Sequence, residues 1–198
     1  MAPIRPTNAE IDAQILDITA GLIAARGIQQ TSVQAIADAA GYSKSGLLRR
    51  FPSKEALVEG ALSQVTRDGG DLRDSAVDLP LGEHRDSLVI RRLGDYVFRR
   101  QGFARLVTAA ISAPENEQLR SQISPAGDVL FEAFGDLGAG AEWRRRRVRV
   151  AAAISALTVV TLTYDEVLTR EEAEQPLFDA AWNALGHSGE CPTVSSAG

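Results

Sequence analysis

Lys44, Arg49, Arg50 and Lys54 form the chain's most suggestive group of reactive side chains. They fall in SKSGLLRRFPSK, beside Ser43, Ser45, Gly46 and Leu48. Cations and hydroxyls on a short helix can bond phosphate oxygens and base edges, and small residues at its start let the backbone come close. No comparable group supports catalysis. His84 follows a Gly- and Asp-rich stretch and His187 lies near the end, neither with metal-ligand or nucleophile spacing. Cys191 is alone, so no intrachain disulfide can form, which fits a reducing cytoplasm. No glycine-rich nucleotide loop follows a predicted strand. Neither enzymatic activity nor a metal or cofactor is expected.

The elements that must position those cations are legible around them. Thr31 is predicted to cap a helix, with Gln34 completing a capping box. Val33, Ile36, Ala37 and Ala40 then face inward, and Gly41 takes the turn. Ser43 can cap the next helix, in which Leu47 and Phe51 point to the core, and Pro52 ends it. Ser53 can cap a third, with Glu55 in its first turn. Before the pair, Ile11, Ile15, Ile18 and Leu22 mark one buried stripe of a helix ended by Gly27. Two helices joined by a tight turn can present one helix end to a DNA groove.

The 198 residues carry a formal charge of −5, against indiscriminate binding to DNA but not against a local positive patch. No window offers eighteen continuous apolar residues, so no membrane-spanning helix is expected. From Arg67 to Glu83 the run RDGGDLRDSAVDLPLGE reads as the end of the connecting helix and a mobile inter-domain loop. A helix should resume from His84 to Arg100, with Val89, Leu93 and Val97 on one face, and Gly102 should separate it from the next. Pro114 suits a helix start. Leu119, Ile123, Leu130 and Phe134 mark a helix that Pro125 should kink or interrupt, and Gly138 and Gly140 should end it. Val150, Ile154, Leu157, Thr161, Tyr164 and Leu168 predict one long helix from about residue 142 to 168. Thr169 and Glu172 can form a capping box, and Pro176 suits the first turn of a final helix closed by Gly186. GHSGECPTVSSAG should be a loose tail, and the basic run Arg144 to Arg149 a solvated face with edge pairing to Glu171, Glu172 and Glu174.

TSVQAIADAAGYSKSGLL and FPSKEALV resemble the N-terminal domain of the TetR family of bacterial transcriptional regulators. Thr31, Ile36, Ala37, Ala40, Gly41, Ser43, Lys44, Leu47, Phe51 and Lys54 match its pattern. Leu48 departs from it, standing where the family usually has a phosphate-touching Tyr, and Arg49 and Arg50 replace its usual aromatic or His positions. The resemblance implies an all-α homodimer: a three-helix helix-turn-helix domain over 1–52, a connecting helix over 53–66, an effector-binding and dimerisation domain over 67–187 and a flexible tail over 188–198. It implies double-stranded operator DNA and a small-molecule effector as partners, and a repressor released by that molecule.

On that reading Thr31, Ser43, Lys44, Ser45, Gly46, Leu48, Arg49, Arg50 and Lys54 contact DNA, with Thr31, Arg50 and Lys54 placed on phosphates. Phe98, Phe103, Phe131, Phe134, Trp143 and Tyr164 lie on the helices that surround the family's effector site, and suit an apolar or aromatic molecule. Leu157, Val160, Tyr164, Leu168, Leu177, Ala181, Ala184 and Leu185 are the candidate dimer interface. A helical dimeric interaction module, or an activator without small-molecule induction, is the alternative.

Overall fold

The computed structural model describes residues 6–112, 117–135, 138–164, 167 and 169–193, and these contain helices and no strand. Helix α1, Asn8–Gln30, starts from a capping box in which the Glu10 carboxylate accepts from the Thr7 amide at 2.7 Å. Its backbone leaves helical geometry at Gly27 and resumes for a last turn. Helices α2, Val33–Ala40, and α3, Lys44–Arg50, follow, and α4, Lys54–Asp74, leads away. Ser43 and Ser53 cap α3 and α4 as expected, accepting from the Gly46 and Ala56 amides at 3.0 and 3.1 Å. Between α2 and α3 the backbone turns at Gly41 with φ 72°, a left-handed geometry that a Cβ would strain. Ile15, Ile36, Ala37, Leu47 and Leu57 close the small core beneath.

One cap is displaced. Ser32 caps α2, accepting from the Ala35 amide at 3.1 Å. Thr31 is buried, and its hydroxyl donates to the Gly27 carbonyl at 2.8 Å.

The remaining elements are α5, Glu83–Arg99; α6, Gln101–Ser112; α7, Glu117–Ala133; α8, Ala141–Ser155; a π-helical stretch, Ala156–Val160; α9, Thr161–Tyr164; and α10, Arg170–Leu185. The connecting helix takes up more of the run from Arg67 than expected, continuing to Asp74, with Gly69 buried at packing distance from Ala126 and Val129 of α7. The break before α6 falls at Arg100, not Gly102. Helix α7 continues through Pro125, which is exposed, so the missing hydrogen bond faces solvent. Helix α10 begins at its Thr169–Glu172 capping box, which places Pro176 in the second turn. Pro114 and Leu168 lie outside the described residues, as does the side chain of Leu119.

The long helix differs from expectation in register. Five residues of π-helix follow Ser155, so the buried stripe Val150, Ile154, Leu157 and Thr161 does not extend to Tyr164, which is 47% exposed. The run Ala141–Tyr164 has the length and apolar composition to cross a membrane. Its buried stripe, however, packs into the same core as Leu93, Val97, Leu177 and Phe178.

The arginine run and the tail also depart from expectation. Arg146 grips the Asp86 carboxylate with both terminal nitrogens and the Phe134 carbonyl at 3.1 Å, and His187 Nε2 lies 2.8 Å from Asp86. Arg147 lies over the Phe131 ring at 4.0 Å. The acidic run instead pairs locally, Glu174 with Arg170 and Glu172 in its capping box. The tail folds back as far as it is described: Arg91 donates to the Cys191 and Pro192 carbonyls, each at 2.6 Å. Cys191 is buried, and burial first, with Asp179 nearby, pushes its thiol up to about 11.

Helices α1 and α6 meet more closely than any side chain would allow. A Cβ on Gly102 would lie 1.8 Å from the Asp17 carbonyl oxygen, and one on Gly21 would lie 3.4 Å from Gly102 Cα. At the same crossing the Asp17 carboxylate accepts from the Gly102 and Phe103 amides at 3.3 and 2.9 Å, occupying two orphan donors of α6. Around it Leu16, Ala20, Val65, Phe103, Leu106 and Ile123 form one core shared by α1, α4, α6 and α7.

Gly102→Ala should therefore force the two backbones apart and cost about 2–3 kcal/mol in urea denaturation. An unchanged midpoint would contradict the crossing. Asp17→Ala should cost about 1 kcal/mol, and Asp17→Asn less, since its amide oxygen still accepts. Burial raises the Asp17 pKa, so the folded chain holds that proton more tightly than the unfolded chain does. Its contribution therefore favours folding most below the ordinary aspartate value and declines as pH rises through the raised one. Asp17→Asn should remove that component of the stability–pH curve.

Candidate functional site

The turn at Gly41 and the cap at Ser43 aim α3 outward. Tyr42 packs on the core with Leu47 across the first turn, an aromatic staple that no reading of the cations would single out. Its signal was an aromatic residue immediately before the N-cap. Gly46 has little room for a side chain, since a Cβ there would meet Ser43 Oγ at 3.0 Å. Ser43, Lys44, Ser45 and Arg49 are exposed together on α3 and its start. Among the described residues the side chains of Lys44 and Arg49 bond to no other group.

The remaining predicted contacts divide. Arg50 is committed to α1, bonding Asp12 and, at 2.8 Å, Asn8, so it fixes the angle of α3 before it could meet a phosphate. Lys54 spends one proton on the Gln29 carbonyl at 3.0 Å and stays partly exposed. Thr31 is buried with its hydroxyl occupied and cannot reach a phosphate in this arrangement. Leu48 is half-exposed and outside the apolar cluster beneath α3, which leaves its methyl groups to whatever α3 faces.

Above the α1–α6 crossing lies a cavity of about 520 Å³ between α4, α5, α6 and α7, with Thr158 of the π stretch also at its wall. Its buried lining includes Val65, Leu72, Leu93, Val97, Phe103 and Val107. Its polar lining is Gln64, Asp68 and Asp71 from α4, Arg92 and Arg99 from α5, and Arg100 from the break that follows α5. Among the described residues Asp71, Arg92 and Arg100 make no ion pair, because the cavity holds the two rows apart. Tyr96 borders it, its ring stacked with Phe103 at 6.4 Å and its hydroxyl buried without a hydrogen-bond partner. Burial first, then the Asp68 and Asp17 carboxylates, push the Tyr96 pKa far up, so the hydroxyl stays protonated.

Of the aromatic set, only Phe103 lines this cavity. Phe98 and Tyr164 border a second hollow of about 380 Å³ between the π stretch, α9 and α10. Phe134 is core, while Phe131 and Trp143 take the Arg147 guanidinium. The predicted dimer face also divides. Leu157, Leu177, Ala181 and Leu185 are buried inside the subunit and Ala184 is packed against the same core. Val160 and Tyr164 are exposed, and with them Val148, Val159 and Val167. The inward stripe was a subunit core, and the face behind it is the apolar surface.

Residues 15–61 match the family described as bacterial regulatory proteins, tetR family. The nucleoid occlusion factor SlmA of Alteromonas mediterranea is 24% identical over 161 residues, covering 79% of this chain and 77% of that protein. The HTH-type transcriptional repressor KstR2 of Rhodococcus jostii is 47% identical over 49 residues, 25% of this chain and 24% of its own. The transcriptional regulator FadR from Bacillus subtilis, solved in complex with stearoyl-CoA, shares the fold with TM-score 0.54 at 18% identity, over 87% of this chain and 95% of its own.

Arg49 and Arg50 should separate by experiment. Arg49→Ala should leave the melting temperature unchanged and reduce the salt slope of DNA binding by about one unit if its partner is a phosphate. Arg50→Ala should cost up to about 1 kcal/mol of stability through its half-exposed pair with Asp12. Equal effects of the two on both measurements would erase the distinction.

Proposed function

Since the chain belongs, through residues 15–61, to the tetR family of bacterial regulatory proteins, we propose that it is a homodimeric, ligand-responsive transcriptional repressor. A dimer would hold two α3 helices in successive major grooves of a pseudo-palindromic operator, at half-sites about 34 Å apart or a multiple of that. Lys44 and Arg49 are the guanine- or phosphate-directed groups, Ser43 and Ser45 support them, and Gly46 allows close approach. Leu48 offers an apolar contact of the kind a thymine methyl accepts.

The observation that carries the reading is the shared core. The helix that holds Arg50 of α3 is the helix whose Asp17 holds α6, and α6 walls the cavity. An apolar molecule in the cavity that favoured another setting of α6 would bias α3 through α1. Moving the population from nearly all competent to nearly all incompetent needs about 10⁴-fold preference, about 5.5 kcal/mol. For the dimer, the supporting feature is the outward row Val148, Ala151, Ala152, Ser155 and Val159 on α8 and the π stretch, small or apolar and exposed. A partner helix can lie close against such a row.

Selection from fragmented genomic DNA should enrich a site with two-fold symmetry, and equilibrium sedimentation should give a dimer at micromolar concentration. A chain that enriches no fragment, or sediments as a monomer on its selected site, would refute the reading. An effector found for it must lose affinity in the presence of operator by the factor by which it weakens operator binding.

A further inference from the structure

We propose that the cavity between α4, α5, α6 and α7 takes an uncharged, mainly apolar molecule that offers one oxygen acceptor to the Tyr96 hydroxyl. The inference rests on reading this cavity as the effector site, and it names the ligand's chemistry.

Three features converge on that class. The volume, about 520 Å³, fits one small molecule, and the deep wall of Leu72, Leu93, Phe103 and Val107 contributes no polar side-chain atom. Against that wall the Tyr96 hydroxyl is out of water, and no acceptor meets it at full hydrogen-bond geometry, the nearby Asp68 carboxylate included. Leaving such a donor unmet is costly, so a ligand oxygen that accepts from it gains more than the same contact would in solvent.

The charges nearby then select among oxygens. Asp68 and Asp17 are the carboxylates that act on Tyr96, and a ligand carboxylate at the hydroxyl would add a third negative charge to a poorly solvated place, which Arg100 offsets by less than either carboxylate adds. A ligand ammonium fares no better. Asp68 already accepts from the Gln64 amide at 2.6 Å, Asp17 is taken by the α6 amides, and Arg92 and Arg100 flank the approach. A ketone, ester or alcohol oxygen avoids both penalties.

Calorimetry on the full-length protein with 2-undecanone, decanoate and decylammonium, of similar chain length, tests this. The ketone should bind about tenfold or more tighter than either ion. Tyr96→Phe should fold normally, since it deletes an unpartnered hydroxyl, and should weaken the ketone about fivefold, the worth of a neutral hydrogen bond, while leaving the ions unaffected. Asp68→Asn should narrow the gap between decanoate and the ketone, a change that packing alone would not produce. An ion binding as tightly as the ketone, or ketone affinity indifferent to Tyr96→Phe, overturns the inference and leaves the effector cavity standing. If none of the three probes binds, the effector reading falls with it.

Discussion

Helices α1 and α6 cross where Gly102 cannot carry a side chain, and the elements on either side of that crossing are registered to it. Gly21 and Gly102 bring the backbones together, and Asp17 then spends its carboxylate on the first amides of α6. The arrangement combines steric and electrostatic constraint. The glycines permit the approach, and the orphan amides of a helix start reward one acceptor in one place. The carboxylate is half out of water for this, which is why its proton affinity rises even as it accepts two hydrogen bonds.

From that crossing, α1 distributes contacts along its length. Asn8 and Asp12 hold Arg50 of α3, Ile15 enters the core beneath α2 and α3, Leu16 and Ala20 enter the core shared with α4 and α7, and Asp17 holds α6. A displacement of α6 therefore cannot be absorbed locally, because close-packed cores transmit strain. Phe103 and Val107 of α6 belong to that shared core and also line the cavity, whose other walls are α4, α5 and α7. The opposed rows on α4 and α5 stay unpaired across its mouth for the same reason: the helices are held apart by what they pack against below.

What the sequence discloses is mostly local. Ser43, Ser53, Gly41 and the Thr169–Glu172 box end or begin helices through contacts within one turn, so their spacing alone identifies them. Thr31 and Ser32 are adjacent hydroxyls that both suit a cap, and only burial of Thr31 decides between them. Gly69 and Gly70 look like a loop until α7 is seen against Gly69. Arg146 belongs to a basic run and so reads as solvated, yet Asp86, sixty residues away, draws it inward. Tyr96 carried no sequence signal as a site residue, because an aromatic ring on a helical stripe reads as core, and its unpartnered hydroxyl exists only in three dimensions. The predicted dimer face divides for one reason of geometry: a spacing of fours and threes marks a buried stripe without saying whose core it enters.

The π stretch at Ala156–Val160 sets a different kind of constraint on how relatives of this chain can vary. A helix of 3.6 residues per turn rotates about 100° for each residue added or removed. A π turn holds roughly one residue more than an α turn, so losing one residue within the stretch would restore regular winding and leave Val160 and Tyr164 on the side they now face. Point changes along this helix can adjust the strength of an association through its outer face. A single deletion within the stretch would keep the face, whereas the same deletion in the regular part of α8 would rotate everything beyond it by about 100°.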